Sequence, residues 1–344
     1  MADVSAAGRF GQPLGPSRVD RIPSGTRDVL PDEMREVREM TDRMRAVFEQ
    51  AGFGEVYTPA LEYEQTFQRT NIAGAAPAYR MFDEHGGVLV LRPDMTIPIA
   101  RLVATRYAHV EPPLRFCYTA HAYRGVRPSR GQSREFLQAG VELIGVPGAA
   151  GTAEALGVMC AALDAAGLQN YRVGLGDAAL YPSLLEAFAV SPERQEVILT
   201  ELAAGDFVGV DREVNALGLN EDDAALLLRL ARTRGGPAVL EGLEGRLHDA
   251  LAGMRDVHAR LAPEVAARII FDLGLVRSLG YYTGAVFQVY DPAYGVPLGN
   301  GGRYDELLGS FGHPLPAVGF ALNVERLHIA LTGEESDPTP PRHG

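Results

Sequence analysis

Two stretches, Leu114 to Arg124 and Glu135 to Ile144, constrain what this chain can fold into more than any other part of it. Both are long, largely apolar runs. The loop between them carries Pro128, Gly131 and several arginines, so they are read as neighbouring strands paired antiparallel. With a repeat of two, Leu137, Ala139, Val141 and Leu143 share one face of the second strand, and Gln138, Gly140 and Glu142 share the other. Gln138 and Glu142 then stand roughly 14 Å apart along the strand, with Gly140 leaving a hollow between them. An amide and a carboxylate flanking a glycine suit a small ligand that carries an amine and a polar side chain. An ordinary solvated strand face is the plainer reading. Arg124, at the end of the first strand, supplies a partner for a carboxylate or a phosphate.

The surrounding pattern places this pair in an α+β chain. Pro31-Asp32-Glu33 opens a helix whose apolar stripe runs through Met34, Val37, Met40, Met44, Val47, Phe48 and Ala51 to a stop at Gly52. Strands follow through Val56, Tyr57 and Leu61 and at Val88 to Leu91, then a helix from about Met95 to Tyr107. Asp94 sits at that strand-to-helix junction. It is either an N-cap or, with Thr96, an acceptor for a ligand's ammonium group. Residues 178–265 are rich in Ala, Leu and Glu, with breaks at Gly205, Gly218 and Gly235-Gly236-Pro237, and read as a helical insertion. Strands return at Ala285 to Tyr290 and Ala317 to Leu322, and a helix starts at Asn323. The core is therefore expected over 21–177 and 266–332, with flexible tails at 1–20 and 333–344. Leu275 to Gly284 sets Arg277, Tyr281 and Tyr282 beside glycines, and Gly299 to Asp305 reads as a glycine-rich turn.

Composition excludes several classes of function. All 32 basic residues are arginine, so chemistry that needs a lysine, such as a Schiff base or a P-loop ammonium, is impossible. A net charge of −12 argues against a protein that grips a nucleic-acid backbone over a whole face. Arg115, Arg124, Arg127, Arg130 and Arg134 nonetheless concentrate positive charge in one hairpin, either as a local anion site or as salt-bridge partners for the surplus acids. Cys117 and Cys160 are too few for a disulfide framework and read as buried thiols in a reducing compartment. The histidines lack metal spacing, so neither a metal nor another cofactor is expected, and Gly174-Leu-Gly176 is too short for a dinucleotide fingerprint. No signal peptide and no stretch of about 20 apolar residues is evident, which points to the cytoplasm.

Six segments together resemble one family. Pro23 to Pro31, Leu91-Arg-Pro-Asp-Met-Thr96, Tyr123 to Gly145, Leu275 to Gly284, Gly301-Gly-Arg-Tyr-Asp305 and Gly319 to Arg326 occur in the order seen in histidyl-tRNA synthetases, over roughly residues 21–332. The resemblance implies a class II synthetase core, an antiparallel sheet flanked by helices, dimeric through a first motif that includes Pro59. It implies a histidine pocket of Asp94, Thr96, Arg124, Gln138, Glu142, Arg277, Tyr281 and Tyr282, and makes Arg326 the counterpart of an arginine that meets ATP phosphate. Three departures stand out. Val126 replaces a glutamate that reads adenine, Gly280 replaces an aspartate, and no anticodon-binding domain follows Arg326. With the Gly131 to Phe136 loop, they make the chain resemble the regulatory-subunit family of ATP phosphoribosyltransferase. That likeness implies a non-catalytic subunit that partners a short-form catalytic subunit in the first step of histidine biosynthesis and mediates feedback by histidine, with Arg326 vestigial and no tRNA bound. An active histidine-adenylating enzyme on the same core is the alternative.

Overall fold

A computed structural model describes residues 22–70, 78–125, 133–241, 243, 247–276, 280–292 and 294–332. The two end segments read as tails lie outside these residues.

Strands β1 (Gly54–Glu55), β2 (Leu61–Tyr63), β3 (Arg80–Phe82) and β4 (Val88–Leu91) precede the long pair β5 (Leu114–Tyr123) and β6 (Glu135–Ile144). After them come β7 (Arg172–Asp177), β8 (Arg234–Gly235), β9 (Ile269–Asp272), β10 (Ala285–Asp291), β11 (Tyr294–Arg303) and β12 (Ala317–Asn323). The helices are α1 (Pro31–Gln50), α2 (Glu64–Gln68), α3 (Thr96–Arg106), α4 (Gly148–Ala166) and α5 (Leu180–Ala187). They continue with α6 (Pro192–Ala204), α7 (Phe207–Asn215), α8 (Glu221–Arg232), α9 (His248–Ala259), α10 (Pro263–Ala266) and α11 (Val324–Thr332).

Among the described residues, nine strands form one sheet in the order β1-β5-β6-β12-β11-β10-β7-β9-β8, and β2-β4-β3 form a small second sheet. The long pair is antiparallel, with Tyr118 opposite Gly140 and Phe116 opposite Glu142. The large sheet is not antiparallel throughout: β1 runs parallel to β5, and β7 parallel to β9. Each parallel pair is joined through a long crossover that contains helices, the connection parallel strands require.

One face of the large sheet packs on α1, α4, α9 and α11 through Met40, Met44, Phe48, Val141, Leu143, Leu156, Phe287 and Phe320. As the stripe in α1 predicts, Val37, Met40, Met44 and Phe48 are buried, and the helix ends at Gly52, whose φ of 83° favours glycine. The other face is covered at one end by α3 and the short 3₁₀ turn Leu307–Phe311, around Ile99, Phe116, Tyr118 and Tyr281. Residues 178–265 hold α5 to α9 and the two-residue strand β8. Their apolar side chains, Leu184, Leu227, Leu230 and Met254 among them, join the same core as the sheet.

Two expectations are corrected here. The glycines of 299–302 are not in a turn but lie within β11, between β10 and β12. A Cβ at Gly299 would come within 2.7 Å of Ala321 O, and one at Gly301 would overlap Gly319 O and the Phe287 ring, so the bare backbone is what lets the strands close. The second concerns membranes: α4, at 19 residues, is long and apolar enough to cross a bilayer. Its apolar residues are instead used in the core, Leu156, Met159, Cys160 and Leu163 all being buried.

Candidate ligand-binding site

The site lies on the sheet face that α3 only partly covers. Its entrance is set by the turn from β4 into α3. Arg92, 3% exposed, donates from Nε to His121 O (2.8 Å) and from Nη1 to Thr58 O (2.6 Å), which pins the turn to the neighbouring strands. Asp94 Oδ1 accepts the Ile97 N–H at 3.1 Å, so it does cap α3. It is also buried, and burial pushes its carboxyl upward against the pull of the Ile97 N–H and the Arg124 charge. Two residues on, at the first position of α3, Thr96 Oγ1 donates to Glu142 Oε1 at 2.8 Å.

Glu142 is 1% exposed, and its other oxygen accepts from the Tyr304 hydroxyl. Room for this carboxylate comes from Gly319 on β12, where a Cβ would overlap Glu142 Oε2. Burial drives the Glu142 carboxyl up to about 8, against the two hydroxyl donors and helped by the nearby charge of Asp94. The phenols of Tyr118, Tyr281 and Tyr304 are pushed well above their ordinary range by the same burial. Above Gly140 there is no hollow: the Tyr118 phenol and the Phe320 carbonyl occupy it, the former 2.6 Å from where a Cβ would be. Gln138 is 7% exposed, and its Oε1 is buried without a hydrogen-bond partner among the described residues.

These residues bound a small, narrow cavity lined by Asp94, Thr96, Arg124, Gln138, Tyr281 and Tyr282 together with Tyr118, Asn300, Tyr304 and the small positions Gly319 and Ala321. Glu142 stands just behind the lining, tied to it by Thr96 and Tyr304. Arg124 donates from Nε to Pro93 O (3.3 Å) and lies over the Phe136 ring, 4.9 Å from its centroid. The buried Asp94 carboxyl and the Gln138 amide oxygen offer acceptors for a ligand's N–H groups, and the Arg124 guanidinium near Asp94 offers a donor for an anionic group.

Other expected residues fall elsewhere. Arg277, Val126, Arg127 and Arg130 lie outside the described residues. Arg326 donates from its guanidinium to Pro297 O on β11, with its backbone N–H on Asn323 Oδ1, and does not line the cavity. In the arginine hairpin, Arg115 pairs with Glu154 at 3.0 Å, the salt-bridge outcome, and Arg134 reaches Ser24 Oγ. Both cysteines are buried free thiols. Sequence reading gave no role to Tyr118, Tyr304 or Asn300. The one available signal was Gly140, whose missing side chain is what its cross-strand neighbour Tyr118 needs.

Residues 25–327 match the family model described as Histidyl-tRNA synthetase. The chain is 42% identical over 321 residues to a protein of Symbiobacterium thermophilum named ATP phosphoribosyltransferase regulatory subunit, covering 90% of this chain and 79% of that one. A Moorella thermoacetica protein of the same name is also 42% identical, over 317 residues, covering 90% and 82%. The crystal structure of an ATP phosphoribosyltransferase regulatory subunit/histidyl-tRNA synthetase from Bacillus halodurans superposes with a TM-score of 0.83 at 35% identity, covering 92% of this chain and 84% of that one. Histidyl-tRNA synthetase from Nostoc sp. shares the fold, with a TM-score of 0.77 at 20% identity, covering 93% and 78%. In architecture and in sequence alike, the chain belongs to the ATP phosphoribosyltransferase regulatory subunit family, built on the histidyl-tRNA synthetase fold.

Proposed function

We propose that this chain is the non-catalytic, histidine-sensing subunit of an ATP phosphoribosyltransferase, required for the first step of histidine biosynthesis and responsible for its feedback inhibition. The observation that carries this reading is the buried Oε1 of Gln138, without a hydrogen-bond partner among the described residues, on a residue that lines the cavity together with Asp94. A buried acceptor without a donor is costly, and the ammonium and imidazole N–H groups of histidine meet that need. Tyr282 and, by resemblance, Arg277 complete the enclosure.

Regulation then follows from linkage. If the cavity differs between two assembly states, histidine favours the state that binds it better, and the catalytic partner responds. That partner is a short-form catalytic subunit, met in the cytoplasm by a homodimer of this chain. The small sheet supports the dimer: Leu61, Tyr63, Leu89 and Leu91 share one face by register, and Leu61 and Tyr63 are 42% and 55% exposed.

The deciding experiment reconstitutes the chain with a short-form catalytic subunit and follows phosphoribosyl-ATP formation, without and then with histidine. Activation by the chain and inhibition by histidine are expected. No complex and an unchanged rate would reject the reading, and histidine-dependent pyrophosphate exchange would then test the adenylating alternative, which Arg124 at the cavity favours.

A further inference from the structure

We infer that Glu62, a buried acid outside the cavity, is a positioning residue for it: by clamping Arg101 it sets the rotation of α3 about its own axis, and with it the place of Thr96. The inference rests on the histidine-binding reading above and extends it to the residue that holds one wall of the site.

Strand β2 has only three residues, and its alternation divides them. Leu61 and Tyr63 face outward, while Glu62 is 6% exposed and shares the inner face with its cross-strand neighbour Val90. There the Glu62 carboxylate meets the guanidinium of Arg101 on α3. Arg101 Nε donates to Oε2 at 2.8 Å and to Oε1 at 3.0 Å, and Nη2 donates to Oε1 at 2.7 Å. A planar fork on a carboxylate fixes direction as well as distance. The apolar side of the helix is held differently: Ile99, Ala100 and Val103 pack into the cluster around Phe116 and Tyr118. Burial of that kind has no preferred direction. Away from the cavity, the ion pair is the contact that resists rotation.

Rotation is felt at the start of α3. Thr96 lines the cavity there and donates to Glu142, a bond that a small turn of the helix would break. The approach to α3 is fixed to the same neighbouring segment: Arg92 donates its backbone N–H to Ala60 O and its Nη1 to Thr58 O. Residues 92–101 are therefore tied at both ends to residues 58–62, with Asp94 and Thr96 between the ties. Arg124 rests on the same stretch through Pro93 O. The acidic and basic groups of the cavity thus share one support, and Glu62 closes its far end.

The test is a double-mutant cycle, read by calorimetric titration of the chain with L-histidine and by urea unfolding: Glu62→Gln, Thr96→Val and the two together. Glu62→Gln keeps the side-chain volume and loses the charge. It is expected to weaken histidine about fivefold and Thr96→Val about tenfold, with the double variant within about twofold of Thr96→Val, because the first change acts through the second residue. Should Glu62→Gln not fold, Arg101→Lys, which keeps the charge and loses the fork, takes its place in the cycle with the same expectation. Unchanged histidine affinity beside a lowered urea midpoint would make the pair purely structural and overturn the inference, as would losses that multiply. An unaltered chain that binds no histidine would overturn the histidine reading and this inference with it.

Discussion

Burial, helped by the nearby charge of a second acid, Asp94, raises the Glu142 carboxyl to about 8, against the pull of its hydroxyl donors Tyr304 and Thr96. A carboxyl whose folded value lies above its unfolded value of 4.5 binds more protons in the folded state across the interval between them. Its contribution is therefore neutral below about pH 4.5, becomes destabilising as pH rises toward 8, at up to about 1.4 kcal/mol per pH unit, and levels off above. Asp94, Asp177 and Glu325, also raised by burial, act in the same direction. Urea unfolding of the native chain at pH 5.5, 6.5 and 7.5 is expected to show stability falling with pH, and Glu142→Gln to fall less steeply. Parallel curves for the two proteins would mean that Glu142 ionises normally in the fold. At this scale the sequence was informative where two-residue alternation applies: Gln138 and Glu142 do share a face. It was silent on Tyr118 and Tyr304, because the phenol over Gly140 depends on strand register, and the hydroxyl on Glu142 comes from a residue 162 positions away.

Among the elements, β11 departs most from its appearance in sequence. Clustered glycines usually announce a bend, yet here they stand inside a strand at closest approach to β10 and β12. Gly301→Ala would push a methyl group into Gly319 O and the Phe287 ring. It is expected to cost about 1–3 kcal/mol in denaturant unfolding, the range of an overpacked core. Gly157, inside α4 with nothing within 4 Å of its added Cβ, provides the contrast: Gly157→Ala is expected to raise stability by about 0.5–1 kcal/mol. Equal behaviour of the two variants would mean that β11 tolerates side chains after all. Helices were easier to read. The bounds of α1 and α3 follow from a proline start, an apolar stripe and a capping aspartate, all local signals.

For the molecule as a whole, sequence order gave the class of fold but not the order of strands. Insertion of β12 between β6 and β11 brings together segments more than 150 residues apart, a pairing no local pattern encodes. The parallel margins of the large sheet were likewise invisible, since each depends on where a long crossover returns. The exposed face of the small sheet bears on assembly. For the homodimer proposed above, Leu61→Glu, at a surface position, is expected to leave the fold intact and to halve the mass measured by sedimentation; a native chain that sediments as a monomer would reject the dimer, and an unchanged dimeric mass in the variant would place the interface elsewhere.

Burial of both thiols has a practical side. Cys117 is pushed up to about 12 and Cys160 to about 11, each by burial, and no lysine exists anywhere in the chain. Maleimides and amine-directed reagents thus find almost nothing on this surface beyond the chain's own terminal amine. A single cysteine introduced on an exposed helix would be a unique attachment point, so that a fluorophore there could follow ligand uptake and subunit docking on an otherwise unaltered protein.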